Sequence, residues 1–216
     1  MKIDEKYFKM DDSMKSSTIE DVLSPNETIL ERLKPNKTVL ILESIFKGLP
    51  FVLIWATIDI FAIVMIATTA GFLDENGNNM LWFIIPFFAL HLIPLWIYII
   101  NIIRTVGGIK NIEYVFTDKR IIIRSGLIGV DFKTFYYTDI EGINVKVGIF
   151  DRMFKVGDLY IKSPTQSAVL DDIKNPYFFL SKLQKITLDL KTDIYYPNNL
   201  RPNENDGYNT KYTPKQ

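Results

Sequence analysis

The chain has 216 residues, 48% of them hydrophobic, and its 25 basic and 25 acidic side chains cancel to a formal net charge of zero. Without a basic excess there is no electrostatic footprint for nucleic acid. With no cysteine there is no disulfide framework, thiolate metal site or thiol nucleophile, and the single histidine, His91, leaves no histidine cluster for a metal.

Residues 1–22 (MKIDEKYFKMDDSMKSSTIEDV) are charged and lack periodicity, which predicts a flexible arm. Residues 23–48 form a lead-in that mixes short apolar runs with charges. Within it Val39, Leu40, Leu42, Ile45 and Phe46 suit either an interfacial helix or an extension of the apolar run that follows.

Residues 49–70 (LPFVLIWATIDIFAIVMIATTA) carry one charge, Asp59, and residues 80–103 (MLWFIIPFFALHLIPLWIYIINII) carry no carboxylate, lysine or arginine. At roughly 1.5 Å per helical residue, each run is long enough for a hydrocarbon core of about 30 Å. The expectation is a two-helix transmembrane hairpin over residues 49–103. The connecting segment has Asp74 and Glu75 but no lysine or arginine. Lys34, Lys37, Lys47, Arg104 and Lys110 flank the hairpin on its other side. The positive-inside rule then places both termini in the cytoplasm of a multi-pass inner-membrane protein. Trp82 and Tyr98 lie toward the ends of the second run, where interfacial aromatics are favoured.

TVGGIK, residues 105–110, predicts a flexible exit from the second span. Apolar residues then recur with period two. Ile112, Tyr114 and Phe116 share one face; Ile121 and Ile123 oppose Arg120, Ile122 and Arg124; Val130, Phe132, Thr134 and Tyr136 line a third strand. Further strands are expected near residues 143–147, 158–161 and 166–170. In NPYFFLSKLQKITLDL, Phe179, Leu183, Ile186 and Leu190 make one stripe of an amphipathic helix, with Asn175 as N-cap and Pro176 at the first helical position. Short strands closed by one helix predict a partly open β-barrel or sandwich over residues 108–192, an α+β arrangement overall. Residues 193–216 are rich in proline and asparagine and are expected to be disordered.

The segment from Tyr114 to Ile161 resembles the membrane-associated bacterial pleckstrin-homology-like (PH-like) domain family. The matching residues are Tyr114, Thr117, Asp118, Lys119 and Arg120; then Arg124 and Gly126; then Tyr137, Asp139 and Ile140; then Gly148, Ile149, Arg152, Phe154, Val156, Gly157 and Asp158. LSPNETIL, residues 23–30, is similar to that family's membrane-proximal lead-in. The resemblance extends over about residues 23–191 and implies two crossed antiparallel sheets capped by a C-terminal helix. It implies no reaction. Within that fold the residues 117–119 make a tight turn, with Asp118 accepting turn hydrogen bonds and Gly126, Gly148 and Gly157 placed where a positive φ is useful.

Two sets of residues stand out as candidate sites. Asp59 and His91 lie at matched depth in the hairpin, and an ionised carboxylate there costs at least about 2.5–3.5 kcal/mol unless paired. The plainer role is polar glue between helices or subunits; a proton or ion pathway would need an oligomer, because two helices enclose no pore. Pro94 frees the Leu90 carbonyl beside this pair. Lys119, Arg120 and Arg124 are the candidates for contact with anionic lipid, worth about 1 kcal/mol per basic side chain near the headgroups. The pair Asp171 and Asp172 is expected in a solvated loop before the final helix. No nucleophile motif, phosphate loop or HExxH is present, so neither an enzyme nor a metal or other cofactor is expected. The sequence predicts a membrane-anchored PH-like module acting as a protein–protein assembly scaffold, partnered by the bilayer and by itself or another membrane protein. The alternatives are a transport- or export-complex subunit using Asp59 and His91, or an anionic-headgroup binder.

Overall fold

The computed structural model describes residues 18–69 and 81–195. Most of the expected arm, the segment between the two apolar runs and nearly all of the expected tail lie outside the described residues.

The first apolar run belongs to one long helix, α1 (Lys37–Thr69), so residues 39–46 extend it directly instead of forming a separate interfacial helix. The second run is divided into α2 (Leu81–His91) and α3 (Ile93–Gly108). Leu92, with φ −78° and ψ 5°, interrupts the helical geometry, and Pro94 in the first turn of α3 has no N–H to offer back to the preceding turn. Tyr98 holds α3 against α1: its hydroxyl donates to the Ile45 carbonyl at 2.8 Å. Its ring lies where a Cβ on Gly48 would approach to 2.8 Å, so only glycine allows this approach. The expected flexible exit at residues 105–110 is instead helical. α3 runs through Gly107 and Gly108 into a 3-10 turn, Ile109–Asn111, and Leu127 packs onto Gly107.

The β region consists of two open antiparallel sheets and does not close into a barrel. β1 (Ile29–Leu33), β2 (Glu113–Thr117), β3 (Arg120–Ser125) and β4 (Asp131–Tyr136) form one sheet in that order. β5 (Gly142–Lys146), β6 (Val156–Lys162) and β7 (Ser167–Lys174) form the other. The 3-10 turn Tyr137–Asp139 carries the chain from one sheet to the other. There the sheets are bridged by a side chain, Gln166 donating through Nε2 to the Thr134 carbonyl at 2.5 Å. A short helix, α4 (Ile149–Phe154), lies between β5 and β6, and α5 (Pro176–Tyr195) closes the fold.

Tyr114, Phe116, Ile121, Ile123, Phe135, Leu159, Leu170 and Leu183 make the main core between the sheets and α5, with Phe179, Ile186 and Leu190 packed against it. Phe135 is the core residue of β4, the opposite parity from the expected Phe132 and Thr134. Phe132 turns to the outer face of the first sheet. That face is covered too. Ile19, at the end of the expected flexible arm and itself buried, packs with Leu23 and Ile29 of the lead-in over Val115, Ile122 and Phe132, leaving Ile122 with no exposed surface. The alternation in RIIIR is therefore real, but both faces are buried.

Of the glycines expected at positive φ, Gly126 has it, at 133°, where a Cβ would collide with the Gly129 carbonyl oxygen at 2.2 Å. Gly148 has an ordinary φ of −78°. Gly157 serves close packing instead, since a Cβ there would meet the Lys146 carbonyl and Val147 at 3.0 Å. Asp171 and Asp172 are in β7 and not in a loop. Their strand carries a bulge: Leu170 pairs with Leu159 and Ile173 with Gly157, so β7 spends one residue more than β6 over that interval. Asp172 takes up the excess at φ 50° and is buried.

Candidate functional site

Asp59 is buried on α1, and its Oδ1 lies 3.2 Å from His91 Nε2 at the end of α2. The imidazole is stacked between Trp55, at 4.9 Å between centroids, and Phe87, at 5.5 Å. Trp55 Nε1 donates to the His91 carbonyl at 2.9 Å. This is the carbonyl nearest the break at Leu92, so the indole satisfies an acceptor in an otherwise apolar setting. Asp59 Oδ2 is buried without a hydrogen-bond partner. The structure brings the two residues together and leaves one carboxylate oxygen for a further donor.

The three basic candidates separate. Arg120 is nearly buried and spends its guanidinium on the lead-in, donating from Nε to Glu27 Oε1 and from Nη2 to Glu27 Oε2, each at 2.9 Å. It also donates to the Val22 carbonyl at 2.7 Å. These hydrogen bonds and the Arg120 charge hold the Glu27 carboxyl down to about 2. Lys119 donates to the Pro25 carbonyl at 3.2 Å. Arg124 is half-buried, with Nε unpartnered. The turn at residues 117–119 is organised by Thr117, whose Oγ1 accepts from the Lys119 and Arg120 amides and donates to Glu27 Oε1 at 2.7 Å. Asp118 reaches outward instead, accepting from the Thr28 amide at 2.9 Å.

Sequence reasoning missed a third locus. A cleft of about 580 Å³ between α1, α3 and β7 is lined by Glu43, Lys47, Tyr98, Arg104, Asp158, Asp171 and Asp172. At its edge α1 meets the domain. Phe46 packs on Phe150 of α4 with centroids 5.1 Å apart, and the Asn36 amide donates to the Asp172 carbonyl at 3.1 Å. Asp151, at the third position of α4, accepts from the Gly148 amide at 2.7 Å and is buried. Burial, then the neighbouring Asp151, pushes the Asp172 carboxyl up to about 8; burial, then Asp158, pushes Asp171 up to about 6. Two signals in the sequence pointed here: the spacing of Gly148 and Asp151, and two consecutive acids inside the apolar run AVLDDI.

The family model described as "Bacterial PH domain" matches residues 44–191, more than half of the chain. The chain belongs to that family. Comparison with curated proteins and with solved structures found no match. The bacterial PH match includes both apolar runs, six of the seven strands (all but β1) and most of α5. PH-domain proteins are generally non-catalytic.

Proposed function

We propose that this bacterial PH domain protein is an inner-membrane assembly module. The hairpin over residues 49–103 anchors it, both termini are cytoplasmic, and the PH-like sheets are presented to a protein partner at a fixed distance from the bilayer. The observation that carries this reading is the continuity of α1. One helix runs without a break from the residues packed on α4 and β7 into the apolar run. A domain held this way cannot swing freely, so it raises the effective concentration of one geometry of encounter with a membrane partner.

Three further features support it. Lys37–Thr68 and Ile93–Asn111 are long and apolar enough to cross a membrane by length and composition, the second sharing only residues 93–103 with the expected second run, whose earlier part is the shorter apolar helix Trp82–His91. Their most apolar windows are only 11% and 6% buried, which is not how core helices of a soluble domain are placed. Ile149 and Met153 of α4 are largely exposed beside the Phe46 contact, as suits side chains that rest in the interfacial layer. With Arg120 committed to Glu27, lipid contact falls to Lys119 and Arg124 and is generic.

The role of Asp59 and His91 is to hold helices, here or across subunits. A second reading, as a subunit of a transport complex, is favoured by one observation, the buried and unpartnered Asp59 Oδ2. Extraction of the full chain from membranes in mild detergent tests the proposal. Recovery as a homo-oligomer or with another membrane protein supports it, and recovery as a lone monomer after crosslinking in the membrane contradicts it.

A further inference from the structure

Glu43 from α1, Asp151 from α4 and Asp172 from the β7 bulge each direct a carboxylate oxygen into one space, and the three oxygens lie within 4.8 Å of one another. Asp151 and Asp172 are each only 1% exposed. Asp151 Oδ1 and Asp172 Oδ1 are fully enclosed and accept no hydrogen bond from a donor group among the described residues, the Asp172 carboxyl facing that of Asp151. Among the described residues, no lysine or arginine forms an ion pair with any of the three. Enclosed carboxylate oxygens without donors are costly, and protein folds relieve that cost with a proton or a cation.

The arrangement favours a cation. A shared proton needs only two carboxyls, whereas here three converge from three elements distant in sequence. Gly148 lies beside two of the three: a Cβ there would stand 3.4 Å, an ordinary contact, from both Glu43 Oε1 and Asp151 Oδ2. All-carboxylate ligation selects a hard ion over zinc or copper. Oxygens on opposite sides of a calcium ion are about 4.6–5.2 Å apart, and around magnesium about 4.0–4.2 Å. A cluster spanning no more than 4.8 Å suits the first directly and the second after a small inward movement.

We propose that Glu43, Asp151 and Asp172 bind one hard divalent cation, of the calcium or magnesium kind, which clips α1 to the second sheet. The clip sets the angle between the apolar helices and the PH-like sheets. It goes beyond the assembly role, because ion binding needs no partner and is measured without one.

The experiment is calorimetric titration of Ca²⁺, and separately Mg²⁺, into chelator-stripped full-length protein in detergent, with thermal unfolding followed in parallel. One ion should bind per chain and raise Tm by mass action. Asp172→Asn and Glu43→Gln should each weaken binding by about tenfold or more, as expected when one charged ligand of a carboxylate site is lost. Asp172→Asn is a safe variant for folding, since asparagine tolerates the φ of 50°. In chelator it should be about as stable as wild type, because the amide keeps the shape of the carboxyl while one of three crowded acidic groups is removed. No binding of either ion at millimolar concentration overturns the proposal in favour of a shared proton. Binding that survives both substitutions overturns it in favour of adventitious surface sites. Binding lost in Asp172→Asn but unchanged in Glu43→Gln overturns the clip, since α1 would then hold no ligand.

Discussion

Arg120 and Glu27 form a two-pronged ion pair, both contacts at 2.9 Å, that fastens the lead-in across the outer face of the first sheet. The Glu27 side chain has no exposed surface and Arg120 little. Removing one partner leaves the other charge buried and alone, at a cost of about 3–5 kcal/mol. Glu27→Gln should therefore lower Tm sharply in full-length protein, while Glu31→Gln on the exposed edge of β1 should not. Equal behaviour of the two variants would show that the pair adds nothing.

The same pair has a pH signature. The Glu27 carboxyl is held well below its ordinary range, to about 2, first by its hydrogen bond from Arg120. A depressed carboxylate contributes stability that is complete above the ordinary carboxylate pKa, about 4.3, and is lost as pH falls toward the folded value near 2. Wild-type Tm should fall over that window more steeply than that of Glu27→Gln. Parallel profiles would assign the acid sensitivity to other carboxylates.

Ile122 tests whether the lead-in covers the sheet. By strand alternation alone it belongs to the same face as Arg120 and Arg124, where an exposed isoleucine would be dispensable. It is instead fully buried under Ile19. Ile122→Ala should cost about 2–5 kcal/mol, as for other large-to-small core changes. Leu30→Ala, at a side chain 60% exposed, should stay within about 0.5 kcal/mol. Thermal unfolding of the two variants separates these outcomes.

This contrast also marks how far the sequence was legible. The apolar runs, the core alternation of β2 and β3, and the α5 stripe at Phe179, Leu183, Ile186 and Leu190 were readable because each follows a local period. β1 was not, because ILERL has a burial pattern set by its place at a sheet edge, and its partner β2 lies about eighty residues away, beyond both apolar runs. The bulge at Asp172 was invisible for a related reason: it is a mismatch between two strands, which neither strand encodes alone. The matched depth of Asp59 and His91 could be counted along two helices, whereas the convergence of Glu43, Asp151 and Asp172 depends on how α1 docks.

The Asp59 and His91 pair separates glue from conduction. If it holds helices together, Asp59→Asn should be tolerated, since an amide oxygen still accepts from the imidazole. Asp59→Leu should reduce recovery of the assembly, because His91 loses its acceptor in an apolar setting. If the pair carries protons, asparagine should be as harmful as leucine. Equal loss of function in both variants with assembly intact would promote the transport reading.

The central claim is a cytoplasmic PH-like domain fixed to a membrane hairpin, and side-specific labelling tests it most directly. The absence of native cysteine makes single-cysteine reporters clean. Thr165→Cys lies at an exposed position in the connection between β6 and β7, and Asn78→Cys lies between the two apolar runs. With a membrane-impermeant thiol reagent on intact cells, Asn78→Cys should label, and Thr165→Cys should label only after the membrane is opened. Labelling of Thr165→Cys in intact cells would contradict the account.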